Sequence, residues 1–204
     1  MAKPIYKKPQ QARAIENEQK FLISMNELLR ERSFTKLSID DIAKHAQLER
    51  GVFLKRFGSK KQALLLLWQK YCDACAIAIN EFISSLPNSS ESLEETCTHI
   101  SQKLENLQHE HFSANRAINE HFMEDLKVAE PTKLAFMQSV NLMQHMQKKY
   151  LQGTGASDVG AFSAAQISLT INYNYTIRAM PALPKDPKTR HCLIGSFIAT
   201  ALKL

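Results

Sequence analysis

Apolar residues recur along this chain every three or four positions and almost nowhere every two. That period lines one face of an α-helix. The first run, over about 11–31, carries a stripe of Ile15, Leu22, Met25 and Leu29, widened by Phe21 and Leu28. A second long run, from Lys60 to about Ser84, has Leu64, Trp68, Tyr71, Cys75, Ile79 and Phe82 on one stripe. No alternation worth a strand occurs, and glycine is scarce at 6 residues. The pattern predicts an all-α fold of about nine helices.

Start and stop signals divide the stretch between those two runs. Ser38 is a good N-cap, with Asp41 three residues on as the partner of a capping box. That helix ends near His45. Ala46-Gln47-Leu48 makes a turn, and a second short helix follows over about Glu49–Phe57. Gly58 stands where a left-handed C-terminal residue is wanted, and Ser59 with Gln62 caps the next helix. Further on, Ser92 with Glu95 opens a helix to about Gln108, and another is expected over Ser113–Lys127. Pro131 is expected at the start of a helix reaching Tyr150. Residues 158–180 and 187–203 form the last two, the final one opened by Asp186-Pro187.

Two helices of about two turns each are too short to stand alone. With Phe53 at the centre of the buried face of the second one, Phe57 falls about 40° away. Leu48, Ile39 and Ile42 close a small core around them. Gly51 and Lys55 then point outward, at about 160° and 200° on the same geometry. Arg50 and Arg56 flank that face, and Lys60 sits in the first turn of the following helix, beside free backbone N–H groups. Helix, tight turn and helix is the arrangement that lays its second helix in the major groove of DNA. A glycine there lets the backbone approach closely, and the cations reach phosphates or guanine edges.

Charge agrees with this reading. The net charge is +6, but residues 1–70 hold 15 basic against 7 acidic side chains, and the remainder is slightly acidic. A polyanion is expected to meet the first third only. The longest apolar run, Ala63–Trp68, is far short of the ~20 residues that span a bilayer, and the N-terminus has no apolar secretory core. The cytoplasm is the expected compartment, where Cys72, Cys75, Cys97 and Cys192 stay reduced. Cys72-Asp-Ala-Cys75 lies inside a helix with no second metal-ligating pair, so packing is expected of it. His121 with Glu124 and Asp125 has metal-compatible spacing, which charged helix faces often produce, and no metal is expected. No phosphate loop and no nucleophile elbow occurs. The chain reads as a binding protein rather than an enzyme, with no cofactor.

Over about residues 11–70 the chain resembles the TetR (tetracycline-repressor-like) family of transcriptional regulators. The residues that carry the resemblance are Ser38, Asp41-Ile42-Ala43, Ala46, Leu48, Gly51, Phe53, Phe57, Ser59-Lys60 and Leu64. Three departures stand out. Gln47 replaces the usual turn glycine and must adopt a left-handed conformation, Glu49 replaces the usual Ser or Thr cap, and Leu54 replaces a tyrosine that commonly contacts phosphate. The resemblance implies groove and phosphate roles for Ser38, Arg50, Gly51, Val52, Lys55, Arg56 and Lys60. Leu54 is left out.

The resemblance also implies an organisation: a flexible basic arm over 1–10, a DNA-binding domain over 11–58, and an effector-binding and dimerisation domain over 59–204. In such proteins the last two helices pair with those of a second copy, giving a homodimer on a palindromic double-stranded operator. A small-molecule effector in the C-terminal helices releases the DNA. Trp68, Tyr71, Phe82, His99, Phe112, Phe122, Met143, Asn172 and Tyr175 are candidate lining residues. The expectation is a ligand-responsive dimeric repressor. The alternative is a helical small-molecule or thiol/metal sensor whose reading head is degenerate.

Overall fold

The computed structural model describes residues 11–151, 157–178 and 183–204, with side chains described outside 172–178. Among the described residues there are nine α-helices and no strands: α1 Ala12–Glu31, α2 Ile39–His45, α3 Arg50–Phe57, α4 Lys60–Ser85, α5 Leu93–Glu110, α6 Phe112–His121, α7 Leu126–Tyr150, α8 Asp158–Arg178 and α9 Pro187–Leu202. The expected capping boxes form. Ser38 accepts from the Asp41 backbone N–H while its own N–H donates to the Asp41 carboxylate, and Ser92 and Glu95 repeat the exchange at α5.

The chain divides into two compact units, and the boundary falls inside α4. The first takes in the described part of Met1–Lys70 together with His111–Val128. Its core is a trio of rings. Phe21 of α1 meets Phe53 edge-on at 5.2 Å and Phe57 at 6.0 Å, and Phe53 and Phe57 lie 4.8 Å apart. Phe53 is fully buried, as are Met25, Leu29 and Ile42. Each such side chain removed from water contributes about 1.5–3 kcal/mol, which makes a stable trihelical unit of α1, α2 and α3. α6 belongs here as well. Arg116 donates to the Leu29 carbonyl and, at 3.3 Å, to that of Arg32, satisfying carbonyls at the end of α1.

The second unit takes in Tyr71–Glu110 and Ala129–Leu204. Here α5, α8 and α9 pack tightly around Cys97, Ile100, Ile194, Ile198 and Leu202, with Leu142, Met143 and Met146 of α7 in the same core. Small residues set the spacing: Gly195 of α9 sits directly against Thr98 of α5, and Gly160 of α8 against the last carbonyls of α9. Gln147 of α7 donates to the Leu202 and Ser157 carbonyls, closing the end of α9.

The expected boundary around Pro131 does not hold. α6 stops at His121, and α7 begins at Leu126, taking Pro131 inside the helix. Asp125 starts α7 instead, its carboxylate accepting from the Lys127 N–H at 2.9 Å. Pro131 lies in the second turn, where its missing N–H forfeits one bond to the Lys127 carbonyl. No helix among the described residues is long and apolar enough to cross a membrane.

Candidate nucleic-acid interface

The turn between α2 and α3 is built by Gln47, the one non-glycine residue with positive φ among those described, at 54°. The Leu48 N–H reaches back to the Ala43 carbonyl at 3.0 Å, and the Gln47 N–H to that of Lys44 at 3.1 Å. This is the double closure that ends a helix through a left-handed residue. α3 then begins at Arg50, with Glu49 as its N-cap and no side-chain bond from it. Gly58, at φ 72°, closes the helix.

Phe53 and Phe57 hold one side of α3 in the core, so the opposite side faces solvent. Gly51, Leu54 and Lys55 are exposed and Val52 is half-buried. A side chain built at Gly51 would meet nothing within 4 Å, leaving room for another molecule to approach the backbone. Lys55 has no hydrogen-bond or ion-pair partner among the described residues. Arg50, at the edge of the face, donates to Asp40 of α2 at 2.9 Å. Both groups are more than half exposed, and such a pair is worth little, so the guanidinium is easily redirected.

Three of the seven candidate DNA-contacting residues bond to other groups of the first unit. Arg56 turns inward, and its guanidinium is gripped by Glu18 of α1 with both side chains largely buried. Lys60 points back at the turn before α2, donating to the Phe34 carbonyl at 2.6 Å and to that of Leu37, with its ammonium 4.2 Å from the centre of the Phe34 ring. Burial lowers its pKa, offset by the charge of Asp41. The Ser38 hydroxyl gives its one hydrogen to the Asp41 carboxylate at 2.6 Å. That bond and the one from the Ser38 backbone N–H hold the Asp41 carboxyl below its ordinary value. Arg56 and Lys60 brace the reading head from within, and Ser38 caps α2 at its surface.

Conversely, Leu54, left out of the candidates because it replaces the family's phosphate-contacting tyrosine, is 37% exposed on the same face as Gly51 and Lys55. The geometry that places Gly51 and Lys55 puts Leu54 at about 100° from Phe53, so the signal for it lay in the sequence.

The candidate effector residues are distributed over both units. Trp68 and Phe122 belong to the first unit. Trp68 is buried, and Phe122 packs edge-on against Phe34 at 5.2 Å beneath the Lys61 ammonium. Phe112 lies there too, under the Arg116 guanidinium. In the second unit, Phe82 and Met143 share the lining of an internal cavity of about 20 Å³ with Ile100, Leu142, Ser139 and Ser168, room for a single water. His99 lies outside it, exposed and 3.0 Å from Glu91, beside a surface cleft of about 440 Å³ that Phe82 also borders. Burial raises the Tyr71 hydroxyl well above its ordinary value. Asn172 and Tyr175 lie outside the residues whose side chains are described.

Cys72 and Cys75 are buried, and desolvation pushes their thiols up to about 12 and about 11, which keeps them protonated. Among the described residues no group of three or more His, Cys, Asp or Glu is arranged to hold a metal. Asp125 pairs with Lys61 at 2.5 Å, and His121 lies 3.7 Å from Glu120.

Residues 26–66, spanning the end of α1 through the start of α4, match the family model of bacterial regulatory proteins, tetR family. A search of the curated proteins returned no match. Solved structures share the fold along nearly the whole chain. The fatty acid degradation regulator FadR from Bacillus halodurans aligns with a TM-score of 0.70 at 15% identity, covering 94% of this chain and 97% of its own. A tetR-family transcriptional regulator from Streptomyces coelicolor aligns at 0.67 and 13% identity, covering 90% and 77%. The transcriptional regulator FadR from Bacillus subtilis, solved in complex with stearoyl-CoA, aligns at 0.62 and 12% identity, covering 91% and 98%. The tetR-family model thus falls on the helix-turn-helix of this chain, and the solved structures, a tetR-family transcriptional regulator among them, share its fold.

Proposed function

We propose that the protein is a dimeric, ligand-responsive repressor acting in the cytoplasm, which reads a palindromic operator through α3 of each copy and releases it when a small molecule binds the second unit. The observation that carries the reading is the outward side of α3. A helix pinned from behind by Phe53 and Phe57 presents Gly51, with open space above it, next to the unpaired ammonium of Lys55. Among the described residues that face is open to solvent, and it has the shape and charge of a groove-reading element.

Dimerisation is supported by an apolar surface on α8 and α9. Val159, Phe162 and Phe197 are 68%, 51% and 43% exposed. A groove of about 350 Å³ runs between Ile167, Ile171, Phe197, Thr200, Ala201 and Leu204. Exposed aromatic and aliphatic side chains on two adjacent helices suit a four-helix bundle with a second copy. Two heads then meet half-sites about one turn of DNA, ~34 Å, apart. For the effector, the Bacillus subtilis neighbour solved with stearoyl-CoA supports a ligand with an apolar part. In this chain the core around Phe82 and Met143 must open to admit one, since its cavity holds about 20 Å³.

The competing reading, a sensor with a degenerate head, draws on the internal capture of Arg56 and Lys60. Selection of bound DNA from a random pool separates the two. An enriched inverted repeat, bound with affinity that falls steeply with salt, supports the repressor; a pool without consensus sinks it.

A further inference from the structure

We infer that the operator half-site is read chiefly through thymine methyl groups, touched by Leu54 and Val52, with Lys55 between them supplying a single donor to a guanine. The inference rests on the reading of α3 as the groove helix and specifies what that helix can recognise.

At 100° per residue from Phe53, the outward arc runs Leu54 at about 100°, Gly51 at 160°, Lys55 at 200° and Val52 at 260°. Leu54 and Lys55 are exposed and Val52 half so. The arc therefore offers two aliphatic side chains, a bare stretch of backbone and one ammonium. Lysine donates and never accepts, so no side chain on this arc can accept a hydrogen bond from the cytosine or adenine amino group. What the arc can distinguish is the thymine C5-methyl, which aliphatic side chains bury, and the guanine O6 and N7 acceptors, which a lysine meets. Gly51 lets the two flanking aliphatics come down together, because no atom stands in the way. Leu54 is a large apolar side chain left 37% exposed on this face, next to the open backbone of Gly51.

Deoxyuridine removes the thymine methyl and changes nothing else on the groove edge, which makes the test specific. Each thymine of the selected operator is replaced singly by deoxyuridine, and affinity is measured by fluorescence anisotropy for the wild-type dimer and for Leu54→Ala and Val52→Ala, with thermal melts confirming that both variants fold. At least two thymines per half-site should show a three- to fourfold loss each, the size expected for one buried methyl. The loss at one position should vanish in Leu54→Ala and at another in Val52→Ala. Deoxyuridine tolerated at every position, or losses that persist unchanged in both variants, overturns the inference while leaving operator binding intact. Failure to recover any operator removes the groove reading and this inference together.

Discussion

The carboxylate of Glu18 on α1 grips the guanidinium of Arg56 on α3, and neither side chain sees much solvent. The pair ties α3 to α1 across a gap of 38 residues. Removing one member of a buried pair leaves the other charged and desolvated, at about 3–5 kcal/mol. Arg56→Ala should therefore destabilise the first unit by about 3 kcal/mol, read as a lowered denaturation midpoint. Glu18→Gln, which keeps the shape and loses the charge, should fall between that variant and the wild type.

Lys55 should behave in the opposite way. It is exposed and makes no internal bond, so Lys55→Ala should leave the unfolding midpoint within about 0.5 kcal/mol of the wild type, as surface changes do. Operator affinity and sequence preference should fall with the slope of log affinity against log salt little changed, as a base-edge contact requires. A slope smaller by about one, with preference intact, would place the ammonium on a phosphate instead. Binding that is indifferent to the substitution would remove α3 from the interface.

The contrast between these two cations shows what the sequence could and could not convey. The caps at Ser38 and Ser92, the left-handed Gln47 and Gly58, and the burial of Phe53 and Phe57 all follow from neighbours within four residues, and all were legible. So was the outward face of Gly51 and Lys55, because helical periodicity alone fixes it. Arg56 and Lys60 were expected on phosphates because a cation near a reading helix suggests that role. Their actual partners, Glu18 and the carbonyls of 34 and 37, are tertiary and far away in sequence. The joining of 111–128 to the first unit is hidden for the same reason, since Arg116 meets the end of α1 some 87 residues earlier. Pro131 misled because a proline usually marks a helix start, whereas here Asp125 set it one turn sooner.

Gly195 should tolerate no side chain. A Cβ there would lie 2.5 Å from the Thr98 Oγ1 and 2.8 Å from the Thr98 backbone nitrogen. Because part of the obstruction is backbone, α5 and α9 must move apart to relieve it, disturbing the core around Cys97 and Ile194. Gly195→Ala should lower stability by about 1–3 kcal/mol. Adding Thr98→Ala should recover only part of that loss, since the backbone nitrogen stays in place. Full recovery would mean that the hydroxyl alone sets the spacing.

Acid should loosen the second unit through Glu105. Its carboxylate accepts two bonds from Arg190, at 2.6 and 3.0 Å, and lies 3.0 Å from the His191 ring, with all three side chains buried. Burial pushes its pKa up, but the bonds and charges of Arg190 and His191 outweigh that and leave it below the ordinary 4.5. A carboxyl lowered in the folded state stabilises fully above its unfolded value and loses that contribution as pH falls through the folded one. The unfolding midpoint should hold near neutral pH and decline below about pH 4.5. Glu105→Gln should start lower at pH 7, with the Arg190 charge no longer matched by this carboxylate, and should show a flatter acid decline. Equal acid slopes in the two proteins would assign the loss to other carboxylates.

Phe197 offers the sharpest test of assembly. It lies on α9, 43% exposed, at the edge of the apolar groove shared with Ile167 and Ile171 of α8. In a lone chain a glutamate there would face water and disturb little. In the proposed four-helix interface it would bury a carboxylate against the apolar side chains of the groove, and a charge so buried is strongly unfavourable. Phe197→Glu should convert the dimer to a monomer by light scattering after size-exclusion chromatography, with helical circular dichroism unchanged. Binding to the full inverted repeat should collapse towards the affinity of a single half-site, because the second head is no longer held at high effective concentration. A variant that stays dimeric would move the interface off this face, and one that is monomeric yet binds the full site undiminished would show that pairing of the heads does not depend on α8 and α9.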